Sequence, residues 1–454
     1  MFEYDPFGKP FHEVTATDLV RLHDVEEGWY VEFKQIVPTA KSIAKSIAAF
    51  ANHYGGWLVY GIRKIQGRSL TASDYLGVPS ADGPALLSRI RDAVRDSVNP
   101  PVYFEARQLD GPEAAVGLES GRSIILVRVP LGRNAPYVHS SGVIYRRVGD
   151  ASDPKPENDR FVLDQLWTRS RRLHEDVAQW LSIRPEVSEG ESGLPFCHLF
   201  VVPDPYTGDE MWHRLTFDQF CEAMRGTDTR GLSLHFDNFF TSSTGYVARM
   251  TTRNDPDLRV LTWEQAYSGS ALVSLPLRTA TFESTGVYET TLPFLSQLGP
   301  VAPDRIIDMN AFLLTVLSVV ARYDTLRNRT GATSAAFAKV RLDGIWRRVP
   351  YLDCEAFLEF IQVNGLPRVQ KDSCTAPHGL SVDSLIKLEP LEVEGKDDIQ
   401  VIGEQVVKSI PLIRELLNAV GIPPTILVGK AEQLMVAILR GLDHLKAAGR
   451  EPSV

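Results

Sequence analysis

The chain has 454 residues, a net charge of −9, 44% hydrophobic and 23% charged residues, and no low-complexity tract. That length holds two or three domains with cores of their own, and no run of eighteen apolar residues is present to span a bilayer. The first residues carry neither a basic stretch nor an apolar core, and the cysteines at 197, 221, 354 and 374 form no Cys-x-x-Cys pair, so a signal peptide, a membrane partner, a disulfide framework and a zinc site are not expected and the expected location is cytoplasmic.

In chain order, residues 1–19 read as a leader packed on the first domain, with Thr15 or Thr17 capping a short helix through His23. Tyr30 to Ile36 alternates as a half-buried strand, with Glu32 and Lys34 on one face and Val31 and Phe33 on the other. Pro38 ends it, and Thr39 caps a helix over 40–54 whose buried stripe is Ile43, Ile47, Phe50 and Tyr54. Lys41, Lys45 and Asn52 fall on a different face of that helix, and its alanines let it lie close against a sheet. Gly55 is the left-handed stop, and Gly56 turns the chain into a strand over 57–60.

A second helix opens at Gly83-Pro84 with Leu86, Leu87, Ile90, Val94 and Val98 inward, and with Arg89, Arg91 and Arg95 solvated. Strands over 102–108 and 123–129 follow. Residues 136–139 and 143–148 then form a hairpin about Ser140-Ser141-Gly142, with Tyr145 and Arg147 on one face and Arg146 on the other. Residues 150–158 read as a linker, and a helix to Leu181 turns Phe161, Leu166, Leu173, Val177 and Trp180 inward. Beyond it the pattern is mixed: a buried strand over 196–202, a nearly all-round apolar helix over 306–327, a hairpin about Asp343-Gly344, and a closing helical pair over 399–420 and 425–446.

Charge singles out the region around the first helix. From Phe33 to Ser73 there is no acidic residue, while Lys34, Lys41, Lys45, Arg63, Lys64 and Arg68 are basic. This block reads either as a solvated helix face with a basic loop or as a surface that tracks phosphates beside a carboxylate. Likewise Tyr145, Arg146 and Arg147 suit contact with a nucleic-acid backbone or base, or else form an aromatic pair with solvated arginines.

Glu32-Phe33-Lys34, Ala49-Phe50-Ala51-Asn52, Gly55-Gly56 and Gly61-Ile62 resemble the Schlafen-type AlbA-like domain. That domain is found in bacterial proteins described as DNA-binding or ATP-binding and at the core of animal Schlafens. Val98-Asn99-Pro100-Pro101, the strand ending at Pro130, Pro136-Tyr137 and Tyr145-Arg146-Arg147-Val148-Gly149 continue the pattern in order, over about residues 20–150. The resemblance implies an α/β (α+β) fold, with an N-terminal sheet-and-helix domain followed by a mixed α+β region ending in helices, and a nucleic-acid partner, RNA or DNA. In Schlafens with ribonuclease activity, a glutamate five residues before the Glu-Phe-Lys glutamate joins it in a metal-binding set. Carried over, Glu27 and Glu32 would hold Mg²⁺ or Mn²⁺ and Lys34 would act on the reacting phosphate. Lys41, Lys45, Asn52, Arg63, Lys64, Tyr145, Arg146 and Arg147 would hold the nucleic acid. An offset of five places two side chains on opposite faces of an unbroken strand, so Gly28 would have to supply a bend; otherwise Glu26 and Glu27 only solubilise a loop. The family's third carboxylate has no counterpart in Gly61-Ile62-Arg63-Lys64, and the nearest acid is Asp74.

The expected organisation is a nucleic-acid-binding domain over 1–150, a linker helix over 151–195, and a mixed region over 196–454 whose role the sequence does not specify. Through Arg172 there are 22 basic and 21 acidic residues, against 26 and 36 in the remainder, so nucleic-acid contact is expected in the first domain. The acidic C-terminal part is expected to serve a homo-oligomer or a protein partner. The leading expectation is a nucleic-acid-binding protein, in its sharper form a metal-dependent endoribonuclease acting on structured RNA such as tRNA. A non-catalytic DNA- or RNA-binding regulator and a defence-system module are the alternatives. A nucleotide-dependent enzyme is disfavoured, because there is no P-loop and Gly55-Gly56 follows a helix rather than opening one.

Overall fold

The computed structural model describes residues 4–447, apart from 64–70, 149–152, 187–188, 192, 207–209, 227–233, 235, 252–259, 278–290, 299–304, 333, 392–395 and 397. The chain divides into two units, residues 1–176 with 204–209 and residues 177–203 with 210–454.

The first unit is built on β1 (Val31–Lys34), α1 (Ala40–Asn52) and β2 (Gly56–Tyr60). β3 (Ile62–Arg63), β4 (Asp74–Tyr75), β5 (Val78–Pro79), α2 (Gly83–Ser97), β6 (Val98–Asn99), β7 (Glu105–Asp110), β8 (Arg122–Val129), β9 (Val138–His139), β10 (Tyr145–Arg146), β11 (Lys155–Pro156) and α3 (Arg160–Leu181), whose residues from 177 on are counted with the second unit, follow. β1 and β2 run parallel, as a strand-helix-strand crossover requires, and β8 pairs antiparallel with β2, β5 and β7. The sheet is covered on both faces. α1 and α2 place Ile43, Ile47, Phe50, Ile90 and Val94 over Leu58, Tyr60, Ile125 and Val127. On the other face the N-terminal leader sets Phe7, Phe11, Leu19 and Leu22 over Val31, Phe33, Trp57, Val59 and Leu126. Every residue of β2 is therefore buried, the pattern of a strand with both faces covered.

Several expectations shift. α1 stops at Asn52, and Gly55 (φ +75°) donates its N–H to the Phe50 carbonyl at 2.9 Å, so Tyr54 leaves the buried stripe and is 53% exposed. Residues 153–158 do more than link: β11 pairs antiparallel with β10, Tyr145 opposite Pro156 and Arg146 opposite Lys155. On α3, Leu166, Leu173 and Val177 are buried as the periodicity requires, but Phe161 is exposed.

The second unit begins with β12 (Phe196–Pro203), α4 (Phe217–Arg225), β13 (Asn238–Thr241), β14 (Gly245–Met250), β15 (Leu261–Ala266), β16 (Ala271–Pro276) and α5 (Thr291–Leu298). It continues with β17 (Ile306–Asp308), α6 (Met309–Thr330), β18 (Ala336–Asp343), β19 (Val349–Tyr351), α7 (Glu355–Asn364), β20 (Ser373–Ala376), β21 (Ile386–Leu388), α8 (Asp398–Ala419) and α9 (Ala431–Ala447). An antiparallel sheet runs β13-β14-β15-β16-β12-β18-β20, with β21 also on β18. The apolar helix α6 lies in its core, as its all-round hydrophobicity requires, capped by the Asp308 carboxylate at one end and by Gly331 (φ +76°) at the other. The expected hairpin about Asp343-Gly344 does not form. β19 pairs parallel with β17, while β18 takes β12, β20 and β21 as partners. The four cysteines are free thiols. No helix among the described residues is long and apolar enough to cross a membrane.

Candidate nucleic-acid interface

Because β1 lies beside β2, Glu32 sits opposite Leu58 and Lys34 opposite Tyr60, on the face that α1 covers. A strand face that alternation alone would leave half-solvated is thereby closed, and Glu32 is 1% exposed. A carboxylate in that position needs compensation. It comes from Arg147, itself 0% exposed, whose Nη1 lies 2.8 Å from Glu32 Oε2, and from Lys34 Nζ at 3.2 Å from Oε1. Arg147 Nη2 also donates to the Gly28 carbonyl at 2.6 Å, and the guanidinium lies over the Phe50 ring at 4.8 Å. Burial pushes the Glu32 carboxyl above its ordinary range, against the pull of Arg147 and Lys34, and the nearby Glu27 adds to the rise.

Gly28 supplies the expected bend. Its N–H donates to the Val31 carbonyl at 3.0 Å, and the turn brings Glu27 back along β1, where Oε1 accepts the Phe33 N–H at 3.2 Å. Glu27 and Glu32 thus meet, but both are buried and hold partners. Asp74 does not join them: it faces Arg63 across the β3–β4 pair, with Oδ2 2.5 Å from the guanidinium. No group of three His, Cys, Asp or Glu side chains among the described residues is placed to hold a metal.

Mg²⁺ or Mn²⁺ requires an octahedral set of oxygen ligands, several of them water. Here both Glu32 oxygens and the Gly28 carbonyl already face cationic donors, and a guanidinium stands within the carboxylate shell. The donor set does not fit a divalent cation. The expected metal-binding role of Glu27 and Glu32, and with it that of Lys34 on a reacting phosphate, has no support in this arrangement.

The residues expected to hold nucleic acid scatter. Asn52 is 1% exposed and serves as a clamp: Nδ2 donates to the carbonyls of Tyr137 (2.8 Å) and Tyr145 (3.0 Å), and Oδ1 accepts the Tyr137 N–H (2.7 Å). Arg147 is interior, because the Tyr145–Arg147 face turns toward α1 rather than toward water. Arg146 pairs with Glu157 at 2.5 Å, and Arg63 with Asp74. Lys64 lies outside the described residues. Lys41 is exposed in the first turn of α1, and Lys45, one turn on, lies over the Tyr145 ring at 5.1 Å. Neither lysine pairs with a carboxylate among the described residues. Arg89 of α2, read from sequence only as solvated, donates to the carbonyls of Val37 (2.9 Å) and Pro38 (2.8 Å) just before α1. Its charge thus adds to the positive end of the α1 dipole.

Residues 27–156 match the family model described as Schlafen, AlbA_2. The N-terminal domain is a Schlafen AlbA_2 domain. Among solved structures, the chain is similar to the DIP2311 protein from Corynebacterium diphtheriae, at 15% identity over 34% of this chain and 35% of that one, with a TM-score of 0.21. The match therefore spans about a third of that protein's length. No curated protein matches the chain. The Schlafen AlbA_2 match points to nucleic-acid binding as the coarse function. It ends at residue 156 and so takes in β11, the strand that closes on β10.

Proposed function

We propose that this protein binds nucleic acid without cleaving it, its Schlafen AlbA_2 domain following the phosphodiester backbone along the N-terminal half of α1. The observation that carries this reading is the buried Glu32–Arg147 pair: the carboxylate a nuclease would use for a metal is already neutralised by a fixed guanidinium at 2.8 Å. Of the basic residues expected at the interface and described in the structure, Lys41 and Lys45 alone lack a carboxylate partner, and Arg89 and the helix dipole add positive charge beside them. A binding regulator fits this arrangement better than an endoribonuclease does.

The test is binding of short RNA and DNA oligonucleotides, followed by fluorescence anisotropy over a range of salt. Affinity should fall steeply with salt as bound counterions are released. Lys41→Gln combined with Lys45→Gln should reduce the log–log slope by about 1.4–1.8, at roughly 0.7–0.9 for each phosphate that is no longer neutralised. Wild type incubated with Mg²⁺ or Mn²⁺ should leave tRNA intact. Metal-dependent cleavage that disappears in Glu32→Ala would overturn the reading and restore the nuclease.

A further inference from the structure

A group of aromatic residues lies at the opposite end of α1 from Lys41 and takes no part in the basic face. Trp29, in the turn before β1, stacks on His53 with ring centroids 4.8 Å apart and planes 23° apart. His53 lies 4.2 Å from the Tyr54 ring, Tyr54 6.5 Å from Tyr30, and Tyr30 stacks on Tyr4 at 5.1 Å. Within this series Trp29 is 39% and Tyr54 53% exposed, while His53 between them is 4% exposed. Two large rings left in water around a buried imidazole are apolar area that folding has not used.

Two further observations say what the surface would receive. The first is charge. Burial first, and then the charges of Arg146, Arg169 and Arg147, hold the His53 pKa down to about 4, so the ring is neutral at physiological pH, and Arg146 and Arg147 are each paired with a carboxylate. Arg169 donates to the carbonyls of Ala51 (3.4 Å) and Gly132 (3.3 Å), and no carboxylate among the described residues offsets its charge. The second is an unfilled polar atom: His53 Nε2 is buried and has no hydrogen-bond partner among the described residues. Such an atom destabilises the free protein until a ligand meets it. The exposed π faces of Trp29 and Tyr54, the uncompensated charge of Arg169 and the unsatisfied ring nitrogen between the two rings together match a nucleobase on an anionic backbone. A base within a duplex already has both faces stacked and cannot lie on a side chain, whereas an unpaired base can.

We propose that Trp29 and Tyr54, backed by the buried His53, form a stacking platform for an unpaired nucleobase, so that the protein takes single-stranded nucleic acid in preference to blunt duplex. This rests on the nucleic-acid reading above and adds a substrate class to it. His53 lies twelve positions after Lys41, which at about 1.5 Å per residue is roughly 18 Å along the axis of α1. One strand would therefore meet the lysines and the platform at separate points.

The experiment uses the full chain and compares a short single-stranded oligonucleotide with its blunt duplex by anisotropy. The single strand should bind more tightly. Trp29→Ala and Tyr54→Ala should each weaken the single strand about fivefold or more while leaving duplex affinity and the salt slope unchanged, since each removes a stacking face and leaves every phosphate neutralised as before. Trp29→Phe should keep most of the affinity. Both sites are exposed, and circular dichroism checks that the variants are folded. Equal weakening of single strand and duplex, or no weakening of either, overturns the platform. If the Lys41→Gln, Lys45→Gln variant loses affinity while Trp29→Ala does not, the platform fails alone and the basic track stands. If wild type binds no oligonucleotide, both fail.

Discussion

Replacing Arg147 with methionine would test whether Glu32 is a structural ion pair or a ligand in waiting. Arg147 is fully buried, and its side chain bridges Glu32 Oε2 at 2.8 Å and the Gly28 carbonyl at 2.6 Å. Methionine keeps the contact with Phe50 but leaves a buried carboxylate with only the half-exposed Lys34. Removing one partner of such a pair costs about 3–5 kcal/mol, which in a domain of this size lowers Tm by roughly 6–20 °C. The loss should depend on pH in a defined direction. The folded-state pKa of Glu32 is already raised by burial, and without Arg147 it rises further. A raised folded pKa means that protonation favours the folded form, so the deficit should shrink as pH falls from about 8 to about 5. Glu32→Gln in the Arg147→Met background should recover much of the loss near neutral pH, because no buried charge then remains. Thermal and urea denaturation of the full chain, read separately for each transition, gives these values. A neutral Arg147→Met, together with a wild-type Tm raised by Mg²⁺ or Mn²⁺ through Glu32, would refute the account and make the carboxylate a metal ligand.

Two further substitutions probe how the domain is held. Asn52→Leu strands the Tyr137 N–H and the Tyr137 and Tyr145 carbonyls it now satisfies, and should cost about 2–4 kcal/mol, seen as a lower urea midpoint with unchanged slope. Gly55→Ala would place a Cβ 2.7 Å from the Val129 carbonyl oxygen and 2.8 Å from the Leu131 nitrogen, both fixed backbone. It should therefore destabilise far more than Gly117→Ala, where φ is +70° but nothing lies within 4 Å and only the left-handed penalty of about 1–2 kcal/mol remains. Equal losses at the two glycines would show that conformation, and not the close approach of α1's end to β8, decides the choice of glycine at 55.

Periodicity was enough to place α1 between its two strands, to find the glycine stop, to recognise the buried helix at 306–327 and to pair Glu32 with Lys34 and Tyr145 with Arg147 on common faces. These are local properties: side chains three or four apart on a helix, or two apart on a strand, share a face whatever lies beyond. What no local pattern contains is which faces meet water. The Glu32 face is dry because α1 lies on it, and Arg147 arrives from 115 residues further along to neutralise it. Asn52 is polar and reads from sequence as a nucleic-acid contact, yet it is buried because the segment at Tyr137, over eighty residues downstream, runs past the end of α1 and needs its amide. The Trp29–His53 stack joins the turn before β1 to the residue that follows α1, and neither segment signals the other. A buried charge or an exposed ring is set by the sum of everything packed around it, and that sum exists only once the chain has folded.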